Sequence, residues 1–322
     1  MSNSEFNLIE RYFARCTTAC ADVVLGVGDD CALLSIPEGM ELAVSMDTLV
    51  AGVHFPLETR AEDIGHKVLA ASLSDIAAMG ATPRWATLAL TLPQVDELWL
   101  AGFSEGLFAL AEQYQVQLVG GDTTRGPLSI TLQMHGLVPH GQALRRSGAR
   151  PGDLIYVTGE LGDAGLALQI LEGELHLPAS QRAAVLNRLN RPEPRVAAGL
   201  ALRGIANAAI DISDGLAADL GHILTASAVG ATIYLERLPL SMAVSAAVAE
   251  QNDWRLPLSA GDDYELCFTV PKSKQLELLE ALQHFSCAST CIGVIEQTPG
   301  LRCKLPTGAE LALEHTGYQH FR

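Results

Sequence analysis

Seven short stretches of this chain set a glycine or serine beside an aspartate. They are Gly28-Asp29, Gly121-Asp122, Gly152-Asp153, Gly162-Asp163, Gly261-Asp262, Ser74-Asp75 and Ser213-Asp214. The densest is Gly26-Val-Gly-Asp-Asp30, where glycines permit a tight turn and two carboxylates leave it side by side. Like charges this close repel unless a cation sits between them. Hard divalent cations take oxygen ligands, and Mg2+ uses one or two carboxylates together with phosphate oxygens and water. Asp30, Asp47, Asp75, Asp122, Asp211 and Asp214 supply enough carboxylates for several ions. They are therefore expected to converge on divalent cations and a polyphosphate. A single Gly-Asp is more often a turn than a ligand, and Asp153 and Asp163 are read as turns.

Other chemistries are excluded by what is missing. No Cys/His cluster has zinc-ligand spacing, and no EF-hand loop is present. The chain contains no Gly-Lys pair, which rules out a P-loop, and it lacks the protein-kinase His-Arg-Asp and Asp-Phe-Gly signatures. ATP, if handled, must meet carboxylate-held metals and backbone amides. Arg145, Arg146 and Arg150 cluster in a chain poor in basic residues. A guanidinium fork matches phosphate oxygens, so one of the three is read as a phosphate clamp; spacing does not choose among them. The seven cysteines form no disulfide pattern, and Cys16/Cys20 and Cys287/Cys291 are read as ordinary reduced thiols.

These residues need elements to position them. The 322 residues, 48% hydrophobic, suffice for two cores, and a net charge of -16 argues against nucleic acid or an anionic membrane as partner. No 18-residue apolar run occurs, and Met1-Ser-Asn-Ser-Glu5 has no signal-peptide character. A soluble cytoplasmic protein is expected. Phe6, Ile9 and Phe13 mark a helix over residues 5–15. Val23–Leu25 and Leu42–Met46 read as strands, the second delivering Asp47, with His54 in the loop beyond. Thr59 and Glu62 form a capping-box pattern for a helix running to Met79 and stopping at Gly80. Asp75 lies on its apolar face. Trp85–Leu92 is a strand, Asp96 caps a helix, and Val116–Val119 is a strand ending at Gly120-Gly121-Asp122. Leu128–Met134 alternates as a half-buried strand should. Pro139, Gly141, Gly148, Pro151 and Gly152 break the periodicity, which sets domains at 1–138 and 151–322 with a linker at 139–150.

The second half reads as a strand at Leu154–Thr158, a helix near Gly165–Leu171, and a helix opened by Pro194. A strand over Ala208–Ser213 follows, then a helix from Leu216. Ser213 is read as that helix's cap, and the junction as a source of free N–H groups for an anion. Strands at Thr232–Leu235, Leu266–Val270 and Ile292–Ile295 and a helix around Leu279 complete it. The aromatic tail through Tyr318 and Phe321 is expected to dock. Ser74–Gly80 weakly echoes Ser213–Gly221, compatible with two α/β units.

In order along the chain, seven stretches together resemble the thiamine-monophosphate kinases, of the superfamily that includes aminoimidazole ribonucleotide synthetase and selenophosphate synthetase. They are Gly26–Leu34, Ser45–Phe55, Leu73–Ala81, Gly120–Arg125, Arg146–Asp153, Ile210–Leu216 and Gly261–Leu266. The resemblance implies a two-domain PurM-like α/β (α+β) fold, with an N-terminal domain that pairs through a dimeric β-barrel and an α/β C-terminal domain. It implies transfer of the γ-phosphoryl of ATP to thiamine monophosphate in thiamine diphosphate biosynthesis, with several Mg2+ ions, in a homodimer. Asp30, Ser45, Met46, Asp47, Asp75, Asp122, Asp211 and Asp214 match metal positions, Met46 through its carbonyl alone because the family usually has Thr there. Gly121, Asp122, Arg146 and Ser213 match nucleotide positions, and His54, Asp262 and Tyr318 match substrate positions. Asp30, Asp47, Asp75, Asp122 and Arg146 are the catalytic set. Asp262 replaces the usual Glu, and Ser104 stands where relatives often carry Tyr near the nucleotide. The nucleophile is an ionised phosphate oxygen, so direct in-line transfer with no general base and no phosphoenzyme is expected. Selenophosphate synthetase is disfavoured because Cys16 and Cys20 lack its glycine-rich context. The hydrogenase-maturation relative is disfavoured because the chain ends without Cys. A non-catalytic metal or nucleotide sensor is the rival of another class.

Overall fold

The computed structural model describes residues 5–14, 21–285, 287–313 and 316–320. Cys16, Cys20 and Phe321 lie outside the described residues. The chain divides into two compact units, one of residues 1–76 and 81–141, the other of residues 77–80 and 142–322.

In the first unit, α1 (Glu5–Leu8) passes into a π-helical turn at Ile9–Phe13. A two-stranded ribbon of β1 (Val23–Leu25) and β2 (Leu33–Leu34) has the Gly26–Asp30 stretch in its connection. Then come β3 (Met40–Val50), α2 (Ala61–Ala78), β4 (Thr82–Leu92), α3 (Glu97–Gln113), β5 (Gln117–Arg125) and β6 (Ser129–Pro139). The four long strands form one open sheet in the order β3-β6-β4-β5, antiparallel except for β4 and β5. Alternation decides its faces. Ile130, Leu132 and Met134 of β6 are buried, as are Leu88 and Leu90 of β4. They form the core with Ile64, Val68 and Leu73 of α2 and Leu100, Phe103 and Leu107 of α3. The two helices touch backbone to backbone: a Cβ at Gly106 would lie 1.9 Å from the Glu62 carbonyl oxygen. On the other face, β3 exposes Leu42, Val44 and Met46.

The second unit holds β7 (Leu154–Thr158), α4 (Asp163–Leu171), α5 (Ala179–Asn190), α6 (Val196–Ala201), β8 (Ala208–Asp211), α7 (Leu216–Ser227) and β9 (Gly230–Tyr234). It continues with α8 (Met242–Gln251), α9 (Arg255–Ser259), β10 (Leu266–Val270), α10 (Gln275–Leu282), β11 (Ser289–Glu296), β12 (Gly300–Lys304) and β13 (Glu310–Leu311). Its seven strands run β13-β12-β9-β11-β7-β10-β8, antiparallel except for β12 beside β9. The central strands read as nearly continuous apolar runs because both faces are covered; every residue of β8 and β10 is buried. Among the described residues no helix is long and apolar enough to cross a membrane.

Several expectations change here. α2 begins at Ala61, and the Thr59/Glu62 capping box does not form: Thr59 donates its N–H to Pro56 (3.1 Å), while Arg60 offers the first helical carbonyl to Ile64 (3.0 Å). β3 and β5 run past their expected ends, so Asp47 and Asp122 stand inside strands. α5, α8 and α9 fall where periodicity marks no helix; α8 is mostly Ala and Val, with little contrast between its faces. The Ser74–Gly80 echo is not structural, since Ser74 and Asp75 lie well inside α2 whereas Ser213 and Asp214 precede α7.

Candidate functional site

In the first unit, strand alternation turns Ser45 and Asp47 toward α2, and the helix answers with residues three apart. Ser72 Oγ donates to Asp47 Oδ2 at 2.7 Å, and Ser45 Oγ donates to Asp75 Oδ2. Two carboxylates and two hydroxyls thus meet between one strand and one helix. Burial pushes the Asp47 carboxyl above its ordinary range, and the Ser72 hydrogen bond only partly counters it. The Met46 side chain points to the opposite, open face and is 64% exposed, as alternation requires.

The ribbon places the glycine-rich connection over this sheet. Val23 and Leu34 pack on Trp85, Val119 and Leu137, and Asp22 accepts hydrogen bonds from Arg84 Nε (3.1 Å) and Trp85 Nε1 (3.3 Å). A cavity of 660 Å³ results, with Asp29, Asp30 and Asp122 on its rim and Ile9, Phe13 and Leu118 as apolar lining. Asp29 folds back to accept the Asp30 N–H (2.8 Å). Gly121 also lines the cavity, and no side chain fits there: a Cβ would lie 2.0 Å from the Leu88 carbonyl oxygen. His54 is held beyond β3, its Nδ1 accepting from the Val50 N–H (3.0 Å) and its carbonyl from Lys67 Nζ (3.1 Å). A neutral ring so held carries its proton on Nε2. Ser104 is buried in α3, where its Oγ donates to the Ala101 carbonyl (3.0 Å).

In the second unit a single turn gathers the expected residues. Asp211 ends β8 and is buried, and Ser213, Asp214 and Gly215 follow before α7. Asp262 donates its N–H to the Ser213 carbonyl (2.9 Å), and Tyr318 donates its own to the Asp214 carbonyl (3.1 Å). The aromatic tail therefore docks through its backbone, while the Tyr318 ring is 43% exposed and stands edge-on to His320. Asp262 and Tyr264 both have positive φ, 66° and 49°, and Tyr264 Oη donates to Asp262 Oδ1 (3.0 Å). Backbone strain of this kind persists where the surroundings overdetermine it. Here Tyr264 N–H bonds the Ile212 carbonyl (2.8 Å), and the Glu265 carboxylate is gripped by Arg195 Nε and Nη2 (2.7 Å each), Arg188 and Thr158 (2.6 Å each).

Three amides of the junction before α7 are not free for an anion. Ser213 does not cap the helix; the N-cap residue is Gly215. The N–H groups of Ser213, Asp214 and Gly215 all donate to Asp219 Oδ2, at 3.0, 3.1 and 3.1 Å. Burial, then the neighbouring Asp214, push Asp219 up to about 7 against these hydrogen bonds. Arg145, Arg146 and Arg150 are exposed. The Arg146 carbonyl accepts from Ser227 Oγ (3.2 Å), which holds its backbone at the far end of α7 from Ser213, about 16 Å along the helix at 1.5 Å per residue. Of the two aspartates read as turns, Asp153 caps the Arg150 N–H (2.9 Å), but Asp163 is the buried first residue of α4, bonded to Ser241 Oγ (2.6 Å). Ser72, Lys67, Tyr264 and Asp219 were not legible as site residues. Only Asp219 had a local signal, an acid in the first turn of a helix beginning just after Ser213-Asp214.

The donors fit Mg2+. They are all hard oxygens, and the Asp47 and Asp75 carboxylates come together with two hydroxyls. Among the described residues no three His, Cys, Asp or Glu cluster closely enough to hold a metal by themselves. Phosphate oxygens and water must complete any coordination, as is usual for this ion.

Residues 28–138 match the AIR synthase related protein N-terminal domain, and residues 150–305 match the corresponding C-terminal domain. A thiamine-monophosphate kinase of Escherichia coli (strain K12) is 53% identical over 322 residues, 100% of this chain and 99% of the relative. The crystal structure of thiamine-monophosphate kinase from Stenotrophomonas maltophilia K279a is 47% identical, with a TM-score of 0.86 over 94% of this chain and 97% of that one. A structure of AaThiL complexed with AMPPCP and TMP is 31% identical, with a TM-score of 0.78 over 92% of each chain. The mixed α/β architecture, the two PurM-like domain matches and full-length identity above half agree, and the chain belongs to the thiamine-monophosphate kinase family.

Proposed function

We propose that this protein transfers the γ-phosphoryl group of ATP to thiamine monophosphate, forming thiamine diphosphate and ADP. The observation that carries this reading is the match to named kinases along the entire chain. A relative that holds AMPPCP and TMP together supports the same pair of substrates.

In this reading the first-unit cavity takes the nucleotide. Its apolar lining suits the base, and Gly120 and Gly121 put backbone into the lining where phosphates can meet it. In the first unit Ser45, Asp47 and Asp75, with Asp30 and Asp122 lining the cavity, are the candidate Mg2+ ligands; in the second unit Asp211 and Asp214 are candidate Mg2+ ligands in their own turn. Met46 could contribute only its carbonyl, since its side chain leaves on the other face. Mg2+, when bound, neutralises phosphate charge and aligns the two anions, which otherwise repel by about 4 kcal/mol per unit-charge pair at 4 Å and an effective dielectric of 20. His54 donates from Nε2 to the thiamine phosphate. Asp262, oriented by Tyr264, faces the cationic part of thiamine, and the exposed Tyr318 ring lies against it. Ser213 contacts the nucleotide through its side chain, and the exposed Arg146 is a further candidate contact to the nucleotide. The acceptor oxygen is already ionised at neutral pH, so transfer is direct.

The exposed row Leu42, Val44 and Met46 on an open sheet supports a homodimer closed into a barrel by a second copy. Residues 1–138 and 151–322 are proposed as the two domains, joined by 139–150, and dependence on ATP supports a cytoplasmic setting. Product analysis tests the function. Thiamine diphosphate should appear from thiamine monophosphate but not from free thiamine, and only with Mg2+. No product from the folded protein with Mg2+-ATP would refute it, and γ-label left covalently on protein would refute direct transfer.

A further inference from the structure

We propose that Asp219 is a positioning residue for the phosphoryl-transfer site: its carboxylate holds the Ser213–Gly215 turn in the one shape that presents Ser213 and Asp214 by their side chains. Three consecutive backbone N–H groups converge on one oxygen, Asp219 Oδ2, at 3.0–3.1 Å. Asp219 is 3% exposed, so water is no substitute partner. Without the carboxylate, three poorly solvated amides lose their acceptor.

The turn is pinned from its other side as well. Its carbonyls accept from Asp262 and Tyr318, at 2.9 and 3.1 Å, so its shape also places the two residues assigned to thiamine phosphate. There is no slack between the segments: a Cβ at Gly261 would lie 2.3 Å from the Ser213 carbonyl oxygen. A phosphate-binding nest turns its amides toward the ligand. Here those amides are consumed internally, which leaves the half-buried Ser213 hydroxyl and Asp214 carboxylate as the groups of the turn that can meet a ligand. That arrangement suits a metal-bridged phosphate rather than a bare one. Asp219 touches no reacting atom; it acts through the turn.

The inference rests on the reading that this turn serves Mg2+ and nucleotide, and the test separates the two. Asp219→Asn, Asp219→Ala and Asp214→Ala are assayed as full-length protein for Tm, KM for ATP, kcat and the half-saturating Mg2+ concentration. Residues that orient metal ligands typically alter metal affinity or activity by about 10–100-fold. Asp219→Asn keeps an oxygen in place and is expected to raise the half-saturating Mg2+ and KM for ATP by about tenfold, with most of kcat recovered at high Mg2+. Asp219→Ala should shift both by up to about 100-fold; if it fails to fold, the Asn variant decides. A lower Tm with wild-type Mg2+ and ATP dependence in the Asp219 variants, while Asp214→Ala is shifted, overturns the inference alone. Wild-type Mg2+ dependence in Asp214→Ala overturns the reading beneath it, and the inference with it.

Discussion

Asp47 carries two opposed demands. Its burial disfavours the charged form that a cation requires, and this raises its pKa. In metal-free protein its stabilising contribution is full below about 3.9 and is lost as pH rises through the raised value. Asp47→Asn removes that loss. In chelator above pH 7 the variant should melt about 2 °C higher than the parent, while kcat with Mg2+ falls by about 100-fold or more. Thermal melts paired with steady-state rates check both signs, and a variant that is less stable and fully active would remove Asp47 from the metal site. Gly121 poses a steric question instead. Its missing Cβ would strike backbone, which cannot swing aside, so Gly121→Ala should cost about 1–3 kcal/mol in urea unfolding and raise KM for ATP.

At the scale of elements, the site depends on pairs that face one another. β3 and α2 meet through Ser45–Asp75 and Ser72–Asp47, and a one-residue slip of β3 would send both β3 side chains to the open face. In the second unit, β10 begins beside Glu265, whose buried carboxylate pairs with two arginines from the segment that holds α5 and α6, one of them also paired with Glu193. Removing one partner leaves buried charge uncompensated. Glu265→Gln should therefore cost about 3–5 kcal/mol by chemical denaturation, far more than the loss of an exposed pair such as Arg11–Glu97. Asp262 and Tyr264 lie just before this anchor, so KM for thiamine monophosphate should rise in the fraction that remains folded.

For the whole molecule, a net charge of -16 sets the problem of binding two anions, and in the proposed reading a cation held by the aspartates answers it. The exposed apolar row of β3 is the other molecular feature. Replacing Val44 and Met46 together with Asp places charge on the face proposed to pair, and sedimentation should show a shift from dimer to monomer with little change in monomer secondary structure. An unchanged sedimentation coefficient would place the dimer contact elsewhere, or show that none exists.

The sequence by itself determined the chemistry and the family. Residue type, order and spacing in seven motifs are local properties, and hard-ligand chemistry follows from aspartate wherever it is placed. Strands such as Leu154–Thr158 and Leu266–Val270, and the Asp96 cap, were legible because their signals lie within a few residues. Partners distant in sequence were not. Ser72 meets Asp47 across 25 positions, and Arg195 meets Glu265 across 70; no periodicity encodes such meetings. The turn before α7 is a different case, for its partner Asp219 lies only a few positions on. Sequence supplied an aspartate, a serine and a helix start, which together suggested amides open to a phosphate. Tertiary structure decided otherwise, because buried N–H groups must be paired and the buried Asp219 carboxylate took all three.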